Sequence, residues 1–192
     1  MTRHLDLGCG QSPRNPYGVE NLYGVDLMPM HSALGDCYRR ANLAVEPIPF
    51  QDSHFSSVSA FDFIEHVPRI LAAASGTRLP FIELMNEIYR VLEPGGRFYA
   101  LTPAYPHPSV FVDPTHVNIL TEHSHTYFCG AEPEARQYGF CGCFNLIQSR
   151  WVVHAFRQTA RPLSFSERFT EWRRERRGRL SHLLWEFSAQ KT

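Results

Sequence analysis

Four short blocks follow one another along this chain: Leu5-Asp6-Leu7-Gly8-Cys9-Gly10, Gly24-Val25-Asp26, Phe63-Ile64-Glu65-His66 and Arg90-Val91-Leu92-Glu93-Pro94-Gly95-Gly96. Each alone is a weak signal; their order and spacing constrain the fold. The first is an apolar strand that runs straight into a glycine turn. The second is an apolar strand ending in a carboxylate, 18 residues after Gly8. That is close to the spacing at which a doubly wound α/β fold sets an acid against a ribose hydroxyl pair. The set therefore describes a nucleoside-cofactor pocket along one edge of a parallel sheet.

The glycine turn also restricts the cofactor. A dinucleotide fingerprint needs a third glycine and a helix whose first amides hold a pyrophosphate. Here the run is Gly8-Cys9-Gly10-Gln11-Ser12-Pro13, and Pro13 and Pro16 disfavour a regular helix beyond its first turn. A loop that lets backbone approach a ligand without a phosphate cradle suits a ribose-bearing ligand that lacks phosphate, such as S-adenosyl-L-methionine. Across Leu5 to Gly10, Gly24 to Asp26, Ile64 to His66 and Val91 to Gly96 the sequence resembles the class I S-adenosylmethionine-dependent methyltransferases of the small type 11 kind. The resemblance covers roughly residues 4–103, and more loosely 140–150 and 182–191. It implies a Rossmann-like, mostly parallel sheet with an antiparallel last strand, here with a shortened or missing first helix.

A chain of 192 residues fits one domain, 1–192, and 43% hydrophobic content supplies material for a core. No apolar run reaches the ~18–20 residues of a membrane span. Met1 to His4 lead directly into the first strand, so a cytoplasmic protein is expected. Five cysteines, an odd number, read as free thiols. Formal net charge is zero, yet residues 161–180 hold seven arginines against three glutamates. Such a patch reads either as a solvated helix face or as a clamp for an anionic acceptor.

Along the chain, 4–8 and 22–26 read as buried parallel strands with an irregular turn between them. Residues 32–41 read as a short helix, Asn42-Leu43 as a strand end and 57–62 as the fourth strand. The apolar stripe Phe81, Met85, Ile88, Leu92 predicts a helix over 78–92, stopped by Pro94-Gly95-Gly96, and 97–102 alternates into the fifth strand. Residues 121–128 and 132–138 are expected as short helices, 144–153 and 183–189 as the last strands. Between those two lies a helix opened by the capping box Ser164-Phe165-Ser166-Glu167.

The resemblance assigns roles to particular positions. Asp6 would position the methionine amine, directly or through water, and Gly8 and Gly10 would let backbone pass along the methionyl chain. Asp26 would accept both ribose hydroxyls, a task for which a carboxylate has enough lone pairs. Asn42 stands where the family often has the aspartate for the adenine amino group. Leu43 would offer a backbone amide to the ring, and Phe61 a backbone carbonyl to the amine. A hydroxyl acceptor benefits from a general base, for which the candidates are His116 with Asp113 orienting it, then Asp62 and His66. The spacing of His107, Asp113, His116, His123 and His125 matches no metal motif, so no metal is expected.

The favoured function is O-methylation of a small molecule or saccharide that is anionic if the arginines form a clamp. Two alternatives stay open: a non-catalytic S-adenosylmethionine-binding subunit serving a protein partner, and an N-methyltransferase acting on an amine or nucleic acid. Ala60-Phe61-Asp62-Phe63 lacks the proline-aromatic pocket of amino-methylating nucleic-acid enzymes, which argues against nucleic acid.

Overall fold

The computed structural model describes residues 2–29, 34–74 and 76–191. Its centre is a seven-stranded sheet: β1 (Arg3–Leu7), β2 (Asn21–Asp26), β3 (Tyr38–Arg40), β4 (Phe55–Phe61), β7 (Leu92–Pro103), β8 (Phe144–Val152) and β9 (His182–Ala189). The spatial order is β3-β2-β1-β4-β7-β9-β8. The first five are parallel neighbours, and β9 runs antiparallel between β7 and β8. Two short strands, β5 (Leu71–Ala73) and β6 (Gly76–Arg78), make a separate hairpin. This is the mostly parallel Rossmann-like arrangement that the sequence implied.

Period-2 alternation divides the strands between two faces. Leu5 and Leu7 of β1, Val58 and Ala60 of β4, Phe98 and Ala100 of β7, and Trp185 and Phe187 of β9 share one core cluster. Helix α1 (Pro80–Val91) contributes Phe81, Leu84, Met85, Ile88 and Val91 to the same cluster. Proline suits the helix's first position, where its missing N–H would have no intrahelical partner. Each large side chain buried there contributes ~1.5–3 kcal/mol.

The other face carries a smaller apolar cluster, Phe61, Tyr99, Leu101, Val152 and Leu184, and is polar at β1 and the facing part of β4. Ser59 bridges His4 and Asp6: His4 Nε2 lies 2.9 Å from the Ser59 hydroxyl, which donates to Asp6 Oδ1 at 2.6 Å. Residues 8–20 cross this face as irregular chain, as the prolines required. The Arg14 amide donates to Asp6 Oδ2 at 2.8 Å, the Tyr17 hydroxyl donates to Glu186 Oε1 at 2.8 Å, and Arg14 and Arg97 stack over Phe61 and Tyr17. Hydrogen bonds to strand carboxylates thus hold down this irregular segment.

Four local expectations are corrected. Over 32–41, residues 32–33 lie outside the described ones; the remainder is a 3-10 turn at Gly35–Cys37 followed by β3, because Tyr38 to Arg40 pair with Gly24 to Asp26. Asn42-Leu43 belong to a turn, since the Val45 and Glu46 amides both bond back to the Asn42 carbonyl. Helix α1 ends at Val91 without waiting for Pro94-Gly95-Gly96, which lie inside β7 where it bulges against β4 between Leu92 and Arg97. The segments expected as helices near 121–128 and 132–138 are 3-10 turns at Ser124–Tyr127 and Glu134–Tyr138.

Helix α2 (Phe165–Glu175) carries the expected capping box. Its buried Glu171 is the anchor: Oε1 accepts the Val153 amide at 3.0 Å, and Arg157 donates to Oε2 at 2.7 Å, with Arg150 alongside. Removing one partner of such a buried pair typically costs ~3–5 kcal/mol. The apolar stripe of the helix, Phe165, Phe169 and Trp172, is exposed.

Candidate active site

The glycine turn lies at the end of β1, against the end of β2. Gly8 and Gly10 have φ of +62° and +54°, a region that side-chain-bearing residues rarely enter. A Cβ on Gly8 would lie 2.4 Å from the Phe63 ring, whereas the space beside Gly10 is open. The amides of Gly8 and Cys9 both donate to the Val25 carbonyl, at 2.9 and 3.2 Å, and so fix the turn against the end of β2. Asp26 sits at that end, half-buried. Its Oδ2 accepts the Gly10 amide and its Oδ1 the Met28 amide, each at 2.9 Å. Two bonds leave lone pairs on both oxygens, so the carboxylate is held in place and still able to accept a pair of hydroxyls.

Asp6 lies one strand away, fully buried. Burial pushes its pKa up to about 7 against the opposing pull of the Arg14 amide and the Ser59 hydroxyl. Its two oxygens already serve Ser59 and Arg14, so its contact with the loop is direct. Phe61 is buried at the end of β4. Asn42 follows β3 beside the Asp26 backbone, where the Ala41 amide donates to the Asp26 carbonyl, and its Oδ1 accepts the Ala44 amide at 3.2 Å; the neighbouring Leu43 is buried. These positions lie along the carboxyl edge of the parallel strands, where open α/β sheets bind ligands.

Two carboxylate–histidine clusters follow on the same edge. In the first, Asp62 stands just beyond β4 with φ of +50°. His154 Nε2 lies 2.9 Å from its Oδ2, and His182 Nε2 lies 3.0 Å from its Oδ1. Burial alone would raise this carboxyl; the hydrogen bonds from the two imidazoles outweigh it and hold the group well below the usual carboxylate range. A carboxylate accepts only, so both Nε2 atoms carry protons. His182 Nδ1 then meets the Ser181 hydroxyl at 2.8 Å, and His154 Nδ1 has no hydrogen-bond partner among the described residues.

The second cluster is built on Glu65, in the 3-10 turn Ile64–His66, and on the loop after β7. Glu65 is fully buried. Its Oε2 accepts the Thr102 hydroxyl at 2.9 Å, while its Oε1 has no partner among the described residues. Burial pushes its pKa up to about 8. The Glu65 carbonyl accepts the amides of Val117 and Asn118, which brings the loop's histidine alongside. The rings of His66 and His116 meet edge to face, with centroids 4.8 Å apart. Thr115 joins His66 Nδ1, at 2.9 Å, to Asp113 Oδ1, at 2.6 Å. Those hydrogen bonds from Thr115 hold the Asp113 carboxyl below its ordinary range.

The structure therefore brings His66, His116 and Asp113 together but separates them from Asp62's partners. Asp113 does not orient His116: the closest approach is 4.0 Å, and the Val110 carbonyl at 2.9 Å holds Nδ1 instead. His107 caps its own 3-10 turn through Ser109, and His123 and His125 contact Glu122; these three stay outside both clusters. Sequence reasoning missed His154 and His182. The signal was their position: β8 runs parallel to β7 and β9 antiparallel, so the end of β8 and the start of β9 both reach the carboxyl edge.

The family model of a methyltransferase domain matches residues 5–100, and the chain belongs to that family. It is a methyltransferase with S-adenosyl-L-methionine as its cofactor. No curated protein matches the sequence. Among solved structures, the complex of the Haloferax volcanii Trm112 methyltransferase activator with a protein assigned as a methyltransferase is similar at 17% identity and a TM-score of 0.61, covering 99% of this chain and 83% of that one. Geranyl diphosphate methyltransferase in complex with S-adenosylmethionine is similar at 15% identity and 0.53, covering 97% and 77%. The cyclase SpnF matches at 15% identity and 0.56, covering 100% and 76%. These likenesses show the fold alone, and with a cyclase among them the reaction has to be argued from the site.

Proposed function

We propose that this methyltransferase acts on a hydroxyl oxygen of a small molecule or saccharide, with His154 as the general base and Asp62 as the group that orients it. The observation that carries this reading is the pair of bonds from His154 and His182 to Asp62 at the end of β4, one residue beyond Phe61. When bound, the cofactor supplies a methyl group already activated by its sulfonium. What remains for the protein is alignment, exclusion of water and removal of the acceptor's proton. Asp62 fixes the proton of His154 on Nε2 and leaves Nδ1 free to take one, as an orienting aspartate does in a triad.

The acceptor's class draws support from α2. Glu167 pairs with Arg161 and Glu171 with Arg157, but Arg168, Arg173, Arg174, Arg176, Arg177 and Arg179 have no carboxylate partner among the described residues. Glu171 ties this cationic helix to the segment that carries His154. An acceptor bearing a phosphate or carboxylate fits that neighbourhood.

Two measurements test the reading. Calorimetry should find S-adenosylmethionine and S-adenosylhomocysteine binding, and Asp26→Ala should lose ~1.5–3 kcal/mol of it, the usual worth of hydrogen bonds to a charged group. A folded Asp26→Ala protein with parental affinity would remove the pocket assignment. A labelled-methyl screen over saccharide and metabolite pools should then yield a hydroxyl acceptor whose methylation falls ~10²–10⁴-fold in His154→Gln. An amine acceptor indifferent to that change would move the reading to N-methylation.

A further inference from the structure

Glu65, His66 and His116 each place one potential ligand atom within 4.8 Å of the other two. Their hydrogen bonds fix where the protons are. The Thr115 hydroxyl has one proton and gives it to Asp113 Oδ1, so it accepts from His66 Nδ1–H. The Val110 carbonyl accepts only, so His116 also carries its proton on Nδ1. Both imidazoles therefore present bare Nε2 lone pairs. The third member is the partnerless Oε1 of a fully buried carboxylate. Glu65, His66 and His116 thus converge with no hydrogen bond among them. Oε1 of Glu65, a carboxyl that burial favours in its protonated form and whose proton a metal would replace, is left unpartnered, whereas buried polar atoms in folded proteins are nearly always partnered. A cation at their centre would satisfy all three.

We propose that Glu65, His66 and His116 bind a divalent transition-metal ion of the zinc class, leaving at least one coordination position for an oxygen ligand. Two imidazoles and one carboxylate favour such an ion over magnesium or calcium, which take oxygen ligands. Atoms no more than 4.8 Å apart leave an ion at their centre at most about 2.8 Å from each, so shifts of less than ~1 Å bring them to ordinary zinc–nitrogen and zinc–oxygen distances of ~2.0–2.2 Å. The outer contacts are also those of a metal site. Each histidine gives its other N–H to an acceptor, one through Thr115 to a carboxylate and one to a backbone carbonyl. The binding claim stands on these residues; a use of the ion in catalysis, to hold and acidify an acceptor hydroxyl, rests on the proposed O-methylation.

The test needs no acceptor and no cofactor. The full chain, stripped with a chelator, is titrated with Co²⁺ and followed by its visible ligand-field bands, then with Zn²⁺ as competitor and by calorimetry. One equivalent should bind, Zn²⁺ should displace Co²⁺, and Zn²⁺ should raise the thermal midpoint of the parent protein. Glu65→Gln and His116→Gln should each weaken binding at least ~100-fold, whereas His154→Gln should bind as the parent does. If Glu65→Gln does not fold, partly exposed His116 and the parent's thermal shift still decide. Absence of stoichiometric binding in the parent overturns the proposal, and so does binding that survives His116→Gln but is lost in His154→Gln.

Discussion

The two clusters on the carboxyl edge are made of the same parts and differ in where their protons lie. Around Asp62 each carboxylate oxygen receives an imidazole N–H, at 2.9 and 3.0 Å, and the set is closed. Around Glu65 the imidazole protons are spent elsewhere, on Thr115 and on the Val110 carbonyl, and no hydrogen bond joins either ring to the carboxyl. What holds a histidine's far nitrogen therefore decides what its near nitrogen can do. The first arrangement suits proton transfer. The second suits a cation.

Asp62→Asn is the largest expected break. A carboxamide offers one acceptor oxygen where two N–H donors arrive, so one histidine must change tautomer or turn away. Turnover should fall on the order of 10²–10⁴-fold while cofactor affinity, read by calorimetry, holds. Co²⁺ binding should be unchanged. If Asp62→Asn abolishes Co²⁺ binding as well, the clusters act as one site and the contrast between them fails.

Thr115→Val addresses the other cluster more gently. It removes the acceptor that fixes His66 Nδ1–H without touching any of the three proposed ligands. Loss of such an outer contact commonly costs ~10–100-fold in metal affinity. Zn²⁺ competition against bound Co²⁺ measures it directly. Parental affinity in Thr115→Val would mean that the imidazole is oriented by something other than its hydroxyl partner.

The glycine turn and the strand-end carboxylate were legible because their residues lie in short contiguous blocks. Gly8, Gly10 and Asp26 end two successive strands, and local backbone needs, a left-handed turn and a strand-end carboxylate, leave a mark in the sequence. The Asp62 cluster was not legible in the same way. Asp62 meets His154 and His182 across 92 and 120 residues, so only the pairing of β7, β8 and β9 reveals the group. The expected link from Asp113 to His116 failed on a detail of turn geometry: the i,i+3 spacing puts the two side chains near each other, but Val110 captures the ring first. The strand in place of the second half of the 32–41 helix is a case of tertiary pairing overriding local pattern.

The smallest effects should appear in stability against pH, where Asp62 and Asp6 predict opposite signs. Asp62 has its folded pKa held below its ordinary value near 3.8 by the two imidazoles, despite burial. Its contribution is thus present above pH ~4 and lost as pH falls through the lower folded value. Asp6, pushed up to about 7 by burial, keeps its proton in the folded protein where the unfolded chain has lost it. Stability from that site falls as pH rises from about 4 to 7 and stays low above. Urea midpoints of the chelator-treated protein between pH 3 and pH 8 separate the two. The parent's advantage over Asp62→Asn should shrink toward pH 3, whereas Asp6→Asn should gain on the parent between pH 5 and pH 8, by on the order of 1 kcal/mol. An Asp62→Asn deficit that does not change with pH would mean that the ionised carboxylate does not hold its histidines, and the closed cluster would lose the property that sets it apart from the open one.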